Sequence, residues 1–382
     1  MSIDLKVISN RLKKSRETLA YSHGEVSDAC GLSEDRIKEL EDGTSKPTGD
    51  EILILAAIYE CDFLQLIDTN LSGPSDLTEI LFRRYGKVFD KVDRRAIQEF
   101  IHFCNKEKKL EDVLGIKKEY PKFNWKGDFY KGHGENAAEQ LRKHLKYEPN
   151  VVARDIYSDF RDIGIHIFRR KLNNNEISGV YINDPEAGHC VLINYNEDIY
   201  RQRFSVAHEV AHSIFDSDKE PLVTYENTSS KYSREDLVEI RANSFASNYL
   251  IPKSMLEKIN SWDEKNIIHW SQEFRVSTAA LVKSLKDAKI ITQGQALKFK
   301  GLRVKNTEKI DPEAPNNLTS LQIKRRTYFL EKGLSDYYVQ LCYRAYDEGY
   351  VSRLRLSELL NVDMDDLVEI SEIFGRTIKH DL

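Results

Sequence analysis

Residues 208–212, with the sequence HEVAH, place two histidines four positions apart with a glutamate directly after the first. On a helix, His208 and His212 lie one turn apart on the same face, so both imidazole rings can reach a single cation. Glu209 is rotated by about 100° from His208, which favours action on a water molecule over ligation. These three side chains could therefore build a hydrolytic zinc centre.

The alternative is a chance pattern on an ordinary core helix. The chain has 10 histidines in 382 residues. At that frequency an HExxH pattern arises by chance in about 2% of chains, so an accidental match is uncommon. Two imidazoles and a carboxylate are also costly to bury in an apolar helix without a partner, and metal ligation supplies one.

The residues around the motif have the spacing of a buried helix. Apolar side chains recur at Phe204, Ala207, Val210, Ala211, Ile214 and Phe215. Asp198, at the end of the preceding segment HCVLINYNED, is a candidate N-cap. The sequence thus predicts one helix that starts after Asp198 and carries both histidines.

A tetrahedral catalytic zinc needs a third protein ligand and one open position for water. Asp216 lies four residues after His212, but no glycine or proline follows closely, so we expect it to continue along the helix away from the metal. The next predicted helix offers Glu235 and Glu239 on one face. Glu239 is favoured because Asn243, one turn further on, can hold its carboxylate. Glu235 stays as the alternative.

A longer pattern surrounds these residues. The segment RQRFSVAHEVAHSIF follows a strand ending in VLINY and precedes EIRANSFASNYLIP. This arrangement resembles the ImmA/IrrE family of zinc metallopeptidases, whose pattern is R-x-R-F-[ST]-x-A-H-E-x-x-H and then E-x-x-A-N-x-F-A-x-x-L-[ILM]-P. The resemblance spans about residues 133–292, and IIHWSQEFRVSTAALVKSLKDAKII is similar to the family's small helical module. One departure is Arg241, where relatives often carry glutamate.

The resemblance implies that His208, His212 and Glu239 bind Zn²⁺ and that Glu209 is the general base. The implied reaction is hydrolysis of a peptide bond. Zinc lowers the pKa of its bound water towards ~7 and polarises the scissile carbonyl. Glu209 then takes up the proton and can pass it to the leaving amine.

The donor that stabilises the oxyanion is not identified by the sequence. Tyr232, Tyr249 and His189 have suitable side chains, and each is equally compatible with a structural role. All three stay open.

Two stretches interrupt the apolar periodicity and predict linkers, NLSGPSD at 70–76 and KNTEKIDPEAPNNLTS at 305–320. With the resemblances they suggest four regions: a helix-turn-helix domain at 1–70, a helical connector at 71–132, a metallopeptidase domain at 133–300 and a C-terminal helical domain at 301–382.

Short β-branched and aromatic runs, IHIFRR, SGVYIN and HCVLINY, predict strands in the third region. A few strands followed by helices indicate an α+β domain. The predicted fold is multidomain and mainly α, with an α+β zincin-like peptidase domain and an N-terminal all-α helix-turn-helix.

The first 70 residues predict short helices with a turn at Gly31 and a helix from Ser33, and they resemble the helix-turn-helix of the phage-repressor (XRE) family. By that resemblance, residues 33–40 would enter a DNA major groove. This region carries 8 Lys/Arg and 14 Asp/Glu, a net charge of −6. Phosphate neutralisation supplies much of DNA affinity, so protein interaction or homodimerisation is favoured and DNA binding stays open.

Two further segments have distinctive composition. Residues 283–309 contain eight bases and two acids, a pattern typical of a solvated surface, with nucleic-acid contact as the alternative. The C-terminal region is helical and rich in tyrosine, and GYVSRLRLSELLNV is like a small helix-turn-helix fragment. Aromatic-rich helices more often form cores or interfaces than catalytic sites, so we assign this region to regulation or partner binding.

Composition excludes several classes of protein. A chain of 382 residues is longer than a single hydrophobic core usually supports, which predicts several domains. The hydrophobic content of 40%, with 19 Tyr and 16 Phe, excludes a disordered chain. No apolar run is long enough for a membrane span or a signal peptide. The five cysteines form no CxxC pair, which excludes a thiolate zinc site. We expect a cytoplasmic protein.

These features together predict a cytoplasmic zinc metalloendopeptidase. By the family resemblance, its substrate would be a specific protein, a transcriptional repressor encoded nearby, whose cleavage derepresses stress, phage-defence or mobile-element genes. The alternative is a helix-turn-helix transcriptional regulator whose peptidase fold is inactive or only structural. The complete set of candidate ligands and the acidic helix-turn-helix favour the enzyme.

Overall fold

The computed structural model describes residues 4–85, 88–126, 130–218, 221–225, 234–259, 261–314, 318–376 and 378. At residues 225 and 234–236 it describes the backbone alone. Within these ranges the chain is mainly helical and contains one four-stranded mixed sheet. No helix in the described ranges is both long enough and apolar enough to cross a membrane.

Five helices make up the N-terminal region: α1 Leu5–Thr18, α2 His23–Cys30, α3 Glu34–Asp42, α4 Gly49–Ile58 and α5 Phe63–Ile67. The predicted turn and helix start are confirmed. Gly31 ends α2 with φ of 74°, a conformation that glycine adopts without steric cost. Ser33 caps α3 by accepting a hydrogen bond from the backbone N–H of Arg36. The helices bury their own core, which includes Leu12 and Leu55. Their likeness to a DNA-reading domain stays a prediction.

Three more helices follow: α6 Asp76–Tyr85, α7 Lys91–Val113 and α8 Tyr130–His144. Asp90 caps α7 by accepting a hydrogen bond from the backbone N–H of Asp93. The buried face of α7 carries Phe100, Phe103 and Cys104. This apolar face allows α7 to pack against the sheet that follows it in the chain.

The sheet is preceded by α9 (Ile156–Asp162) and consists of β1 His166–Arg170, β2 Ile177–Asp184, β3 Gly188–Asn194 and β4 Leu222–Tyr225. The strand order is β1-β3-β2-β4, with β1 parallel to β3 and the other pairs antiparallel. The three predicted strands are confirmed, in agreement with an α+β domain. The sequence did not predict β4, because four residues are too few for strand alternation to be read.

One face of the sheet carries α10 (Ile199–Phe215), which precedes β4 in the chain. The helices after β4 share a core with this face: α11 Arg234–Leu250, α12 Lys253–Leu256, α13 Glu264–Phe274, α14 Thr278–Asp287 and α15 Gln293–Lys298. As predicted, Asp198 caps α10, accepting from the backbone N–H of Tyr200. α10 packs on β2 and β3 and against α11, which packs in turn against α8. At Gly134 in α8, an added Cβ would lie 2.4 Å from the carbonyl oxygen of Arg241, so only glycine permits this close approach.

The opposite face of the sheet meets α7 and the C-terminal helices α16 Ser320–Glu331, α17 Asp336–Asp347, α18 Arg353–Leu360 and α19 Met364–Ile373. Phe168 of β1 packs against Phe103 of α7 and Tyr338 of α17, with ring centroids 5.8 and 5.6 Å away. The connector and the C-terminal helices therefore share one core with the sheet. The boundaries at residues 70, 132 and 300 stay predictions.

The stretch 305–320, expected to be a linker, is docked on the sheet in its described part. Arg169 of β1 contacts Asp311 at 2.8 Å and Glu313 at 2.7 Å. Arg161 of α9 contacts the other oxygen of Glu313 at 3.1 Å. These buried ion pairs hold the chain beside the N-terminal end of α10.

Candidate metal centre

The predicted ligands converge on one point between α10 and α11. The Nε2 atoms of His208 and His212 face each other at 3.1 Å. Glu239 places one carboxylate oxygen 3.2 Å from Nε2 of His208 and the other 3.7 Å from Nε2 of His212. Both histidines are buried, whereas the Glu239 side chain is 31% exposed. The trio thus faces a solvent opening on the side of the glutamate.

The outer nitrogen of each imidazole has its own partner. Nδ1 of His208 lies 3.2 Å from the amide oxygen of Asn243, and Nδ1 of His212 lies 3.0 Å from the carboxylate of Asp216. An acceptor at Nδ1 holds the proton there and leaves the lone pair of Nε2 facing inward. Asn243 was predicted to hold Glu239, but its hydrogen bond goes to His208.

Asp216 does not continue along the helix as the sequence suggested. α10 ends at Phe215, and Asp216 is the C-cap residue with φ of −131°, which turns its side chain back towards His212. Its other carboxylate oxygen accepts a hydrogen bond of 2.8 Å from Arg241. The guanidinium of Arg241 lies over the ring of Phe215, 4.3 Å from the centroid. Arg241, the departure from the family pattern, therefore holds the residue that orients His212.

Glu209 is fully buried and lies against β2. A Cβ atom added at Gly179 would lie 2.7 Å from a carboxylate oxygen of Glu209, so a larger residue at this position would displace the Glu209 side chain. Burial raises the pKa of Glu209, and the neighbouring His212 and His208 oppose that rise. Gly179 was not predicted as a site residue, although a glycine inside a strand pattern often marks such a close approach.

His208 and Glu239 shift each other's pKa in opposite directions. Burial lowers the pKa of His208, but the Glu239 carboxylate outweighs this and raises it above its ordinary value. Burial likewise raises the pKa of Glu239, but contact with His208 holds it below its ordinary value. Glu239 therefore stays ionised, and its carboxylate lies beside the ring nitrogens of both histidines.

A cavity of about 720 Å³ opens at the trio. Its walls include His208, Glu239 and Asn243, together with the first half of α10, Thr224 of β4, the start of α14 and the segment 303–309. Tyr249 and His189 are not among the described residues that line it. Tyr249 donates a hydrogen bond to Asp159, and His189 contacts Tyr181. Tyr232 and the side chain of Glu235 lie outside the described residues.

Arg203 fixes the position of α10. It is fully buried and donates hydrogen bonds to the backbone carbonyl oxygens of Ala153, Arg154 and Arg275, at 2.6, 2.8 and 3.1 Å. Burial lowers the pKa of Arg203. The three carbonyl groups satisfy the guanidinium and join α10 to the segments before α9 and after α13. This explains the second arginine of the R-x-R-F pattern.

Glu107, Glu111 and His166 form another compact trio, buried between α7 and β1. Each of the three residues already has a protein partner. His166 contacts Glu107 at 2.7 Å, and Glu111 accepts hydrogen bonds from Lys118 and from the hydroxyl of Tyr337. The ammonium of Lys118 disfavours a second cation at this place.

The residues at the first trio fit a catalytic metal. Two imidazole nitrogens and one carboxylate oxygen are a known donor set for catalytic zinc, with a further position left for water. The hydrogen bonds at both Nδ1 atoms supply the outer support that metal-binding histidines usually have.

The family comparison agrees with this geometry. Residues 160–286 match the model of the peptidase M78 family, described as the IrrE N-terminal-like domain. The matched range contains the whole sheet, α10 and α11, and so includes every member of the trio. The match supports a metallopeptidase-type function for this part of the chain. A comparison of the chain with curated proteins finds no match.

Proposed function

We propose that this chain is a zinc-dependent metalloendopeptidase that cleaves a specific partner protein. The observation that carries the proposal is the convergence of His208, His212 and Glu239 beside a buried glutamate, Glu209. A structural ion-pair cluster would not need two inward-facing ring nitrogens supported from behind at both Nδ1 atoms.

The roles follow from the positions of the side chains. Zinc, when bound by the trio, polarises the scissile carbonyl and makes an attacking water more acidic. Glu209 accepts the proton of that water and delivers it to the leaving amine. Burial suits Glu209 to this role because it raises the pKa of the carboxyl group towards the pH at which it must both take and give a proton.

Strand β4 offers a means of binding an extended peptide. It is an edge of the sheet in the described part of the chain, and Thr224 of this strand lines the cavity at the trio. Backbone groups on a strand edge can pair with an added strand. A substrate segment bound in this way would pass directly over the trio.

The partner is proposed from the ImmA/IrrE resemblance of the motif. That resemblance supports a transcriptional repressor encoded near this protein as the substrate, cleaved in the cytoplasm during a stress or phage response. The acidic N-terminal helices would then serve recognition of a protein or of a second copy of the chain.

The test is the substitution Glu209→Gln. Glutamine keeps the size of the side chain and leaves the ligands in place, but it cannot accept the proton. The substrate to be tested is the protein encoded by the adjacent gene, and mass spectrometry measures its cleavage. We expect unchanged zinc content and a cleavage rate lower by about 10² to 10⁴-fold. Glu257→Gln, at an exposed position, is the matched control. Near wild-type cleavage by zinc-replete Glu209→Gln protein would refute the proposal.

A further inference from the structure

A second groove lies between α14 and α15, beside the metal cavity. It has a volume of about 370 Å³. Lys283, Lys286, Lys300 and Arg303 line it, and no aspartate or glutamate is among its described lining residues. Four of the eight bases at 283–309 therefore lie together around one depression.

The remaining lining of this groove is largely apolar. Val282, Ala296 and Leu297 lie along it, and Phe299 is buried beneath. Leu297 is 60% exposed, a large apolar side chain left in solvent next to four cations. The phosphate backbone of a nucleic acid has no apolar groups to bury against this lining. A peptide that alternates acidic and apolar side chains matches both the apolar lining and the four basic residues.

The groove is continuous with the metal cavity. Thr278, Ala279, Lys283 and Arg303 line both depressions. Lys309, further along the same segment, contacts Asp198 at the start of α10, so the wall between the two depressions is anchored to the helix that carries the histidines. A polypeptide that leaves the trio on this side would enter the groove directly.

We propose that the groove between α14 and α15 docks an acidic segment of the substrate protein, in which apolar residues are interspersed. The inference rests on the proposed peptidase function, because it assigns the groove to the same substrate. Docking at a distance from the scissile bond would give the enzyme specificity for one protein, with the metal centre supplying the chemistry alone.

Binding can be measured without hydrolysis, using the full chain with Glu209→Gln. The probe is a short fluorescein-labelled peptide of alternating leucine and glutamate, and fluorescence anisotropy measures its binding. Lys286→Glu with Lys300→Glu reverses two rim charges that do not line the metal cavity. We expect this double variant to bind the probe about tenfold more weakly. The matched control is Lys117→Glu with Lys143→Glu, an equal charge change at exposed positions outside both depressions, and it should bind as the parent does.

Three results would overturn the docking proposal. The first is an equal loss of affinity for the acidic probe in both double variants, which would show that only the net charge of the protein matters. The second is equal binding of a leucine–lysine peptide. The third is tighter binding of duplex DNA that depends on the same two lysines, which would assign the groove to nucleic acid. Charge-dependent binding of the acidic probe would support docking even if the wild-type chain hydrolysed nothing, so the two proposals fail separately.

Discussion

The carboxylate of Asp216 lies 3.0 Å from Nδ1 of His212, although Asp216 is the residue at which the histidine's own helix ends. Because α10 ends here, the Asp216 side chain turns back towards His212. Its second carboxylate oxygen accepts a hydrogen bond from Arg241 on α11. The same carboxylate thus joins the end of α10 to α11, the helix that carries Glu239. This arrangement positions the imidazole before any metal binds.

Asp216→Asn should weaken zinc binding. The amide removes the charge that orients His212 and strengthens its donation to a metal, and loss of such an outer partner typically costs about 10- to 100-fold in metal affinity. Competition with a chromogenic chelator measures the change. Asp218→Asn is the matched control, because Asp218 is exposed and two residues further along. Equal affinities in the two variants would show that Asp216 only caps the helix.

The ligand assignment predicts metal content. The purified chain should hold about one zinc ion, and His212→Ala or Glu239→Ala should lower the occupancy, because each removes one of three protein ligands. Atomic absorption on dialysed protein measures it. Full occupancy in Glu239→Ala would discard that ligand and direct attention to Glu235 on the same helix.

Gly179→Ala should impair catalysis more than metal binding. The new Cβ would lie 2.7 Å from the carboxylate of Glu209, the proposed general base, so this side chain must shift. Overpacking of this kind costs about 1–3 kcal/mol in the free energy of unfolding. We expect a zinc-replete variant with strongly reduced turnover and a lowered melting temperature. The control is Gly49→Ala, where an added Cβ meets no atom within 4 Å. Its turnover and melting temperature should stay unchanged.

The N-terminal region should bind duplex DNA weakly at physiological salt. Beyond its net charge of −6, several of its bases are engaged by acids: Arg16 with Glu41, and Arg36 with Glu51. Few cations are left for phosphates. An electrophoretic mobility shift with residues 1–70, which bury a core of their own, provides the measurement. Tight, sequence-specific binding would contradict this and favour the alternative of a transcriptional regulator.

The sequence by itself determined the local features. The helix of His208 and His212, its cap at Asp198 and three of the four strands follow from spacing and capping chemistry, which act over a few residues. Helical geometry also places the two imidazoles on one face. Glu239 was favoured over Glu235 because Asn243 lies one turn further along the helix, and the family resemblance implied the same ligand.

The tertiary structure decided which distant residues support the site. Gly179 makes room for Glu209 because β2 passes against α10, and Asn243 reaches His208 because α11 packs beside the same helix. Four bases of the run at 283–309 line one groove because α14 and α15 pack beside the cavity at the trio. Such contacts join segments far apart in the chain. They depend on how helices and strands pack together, which spacing within a single segment cannot specify.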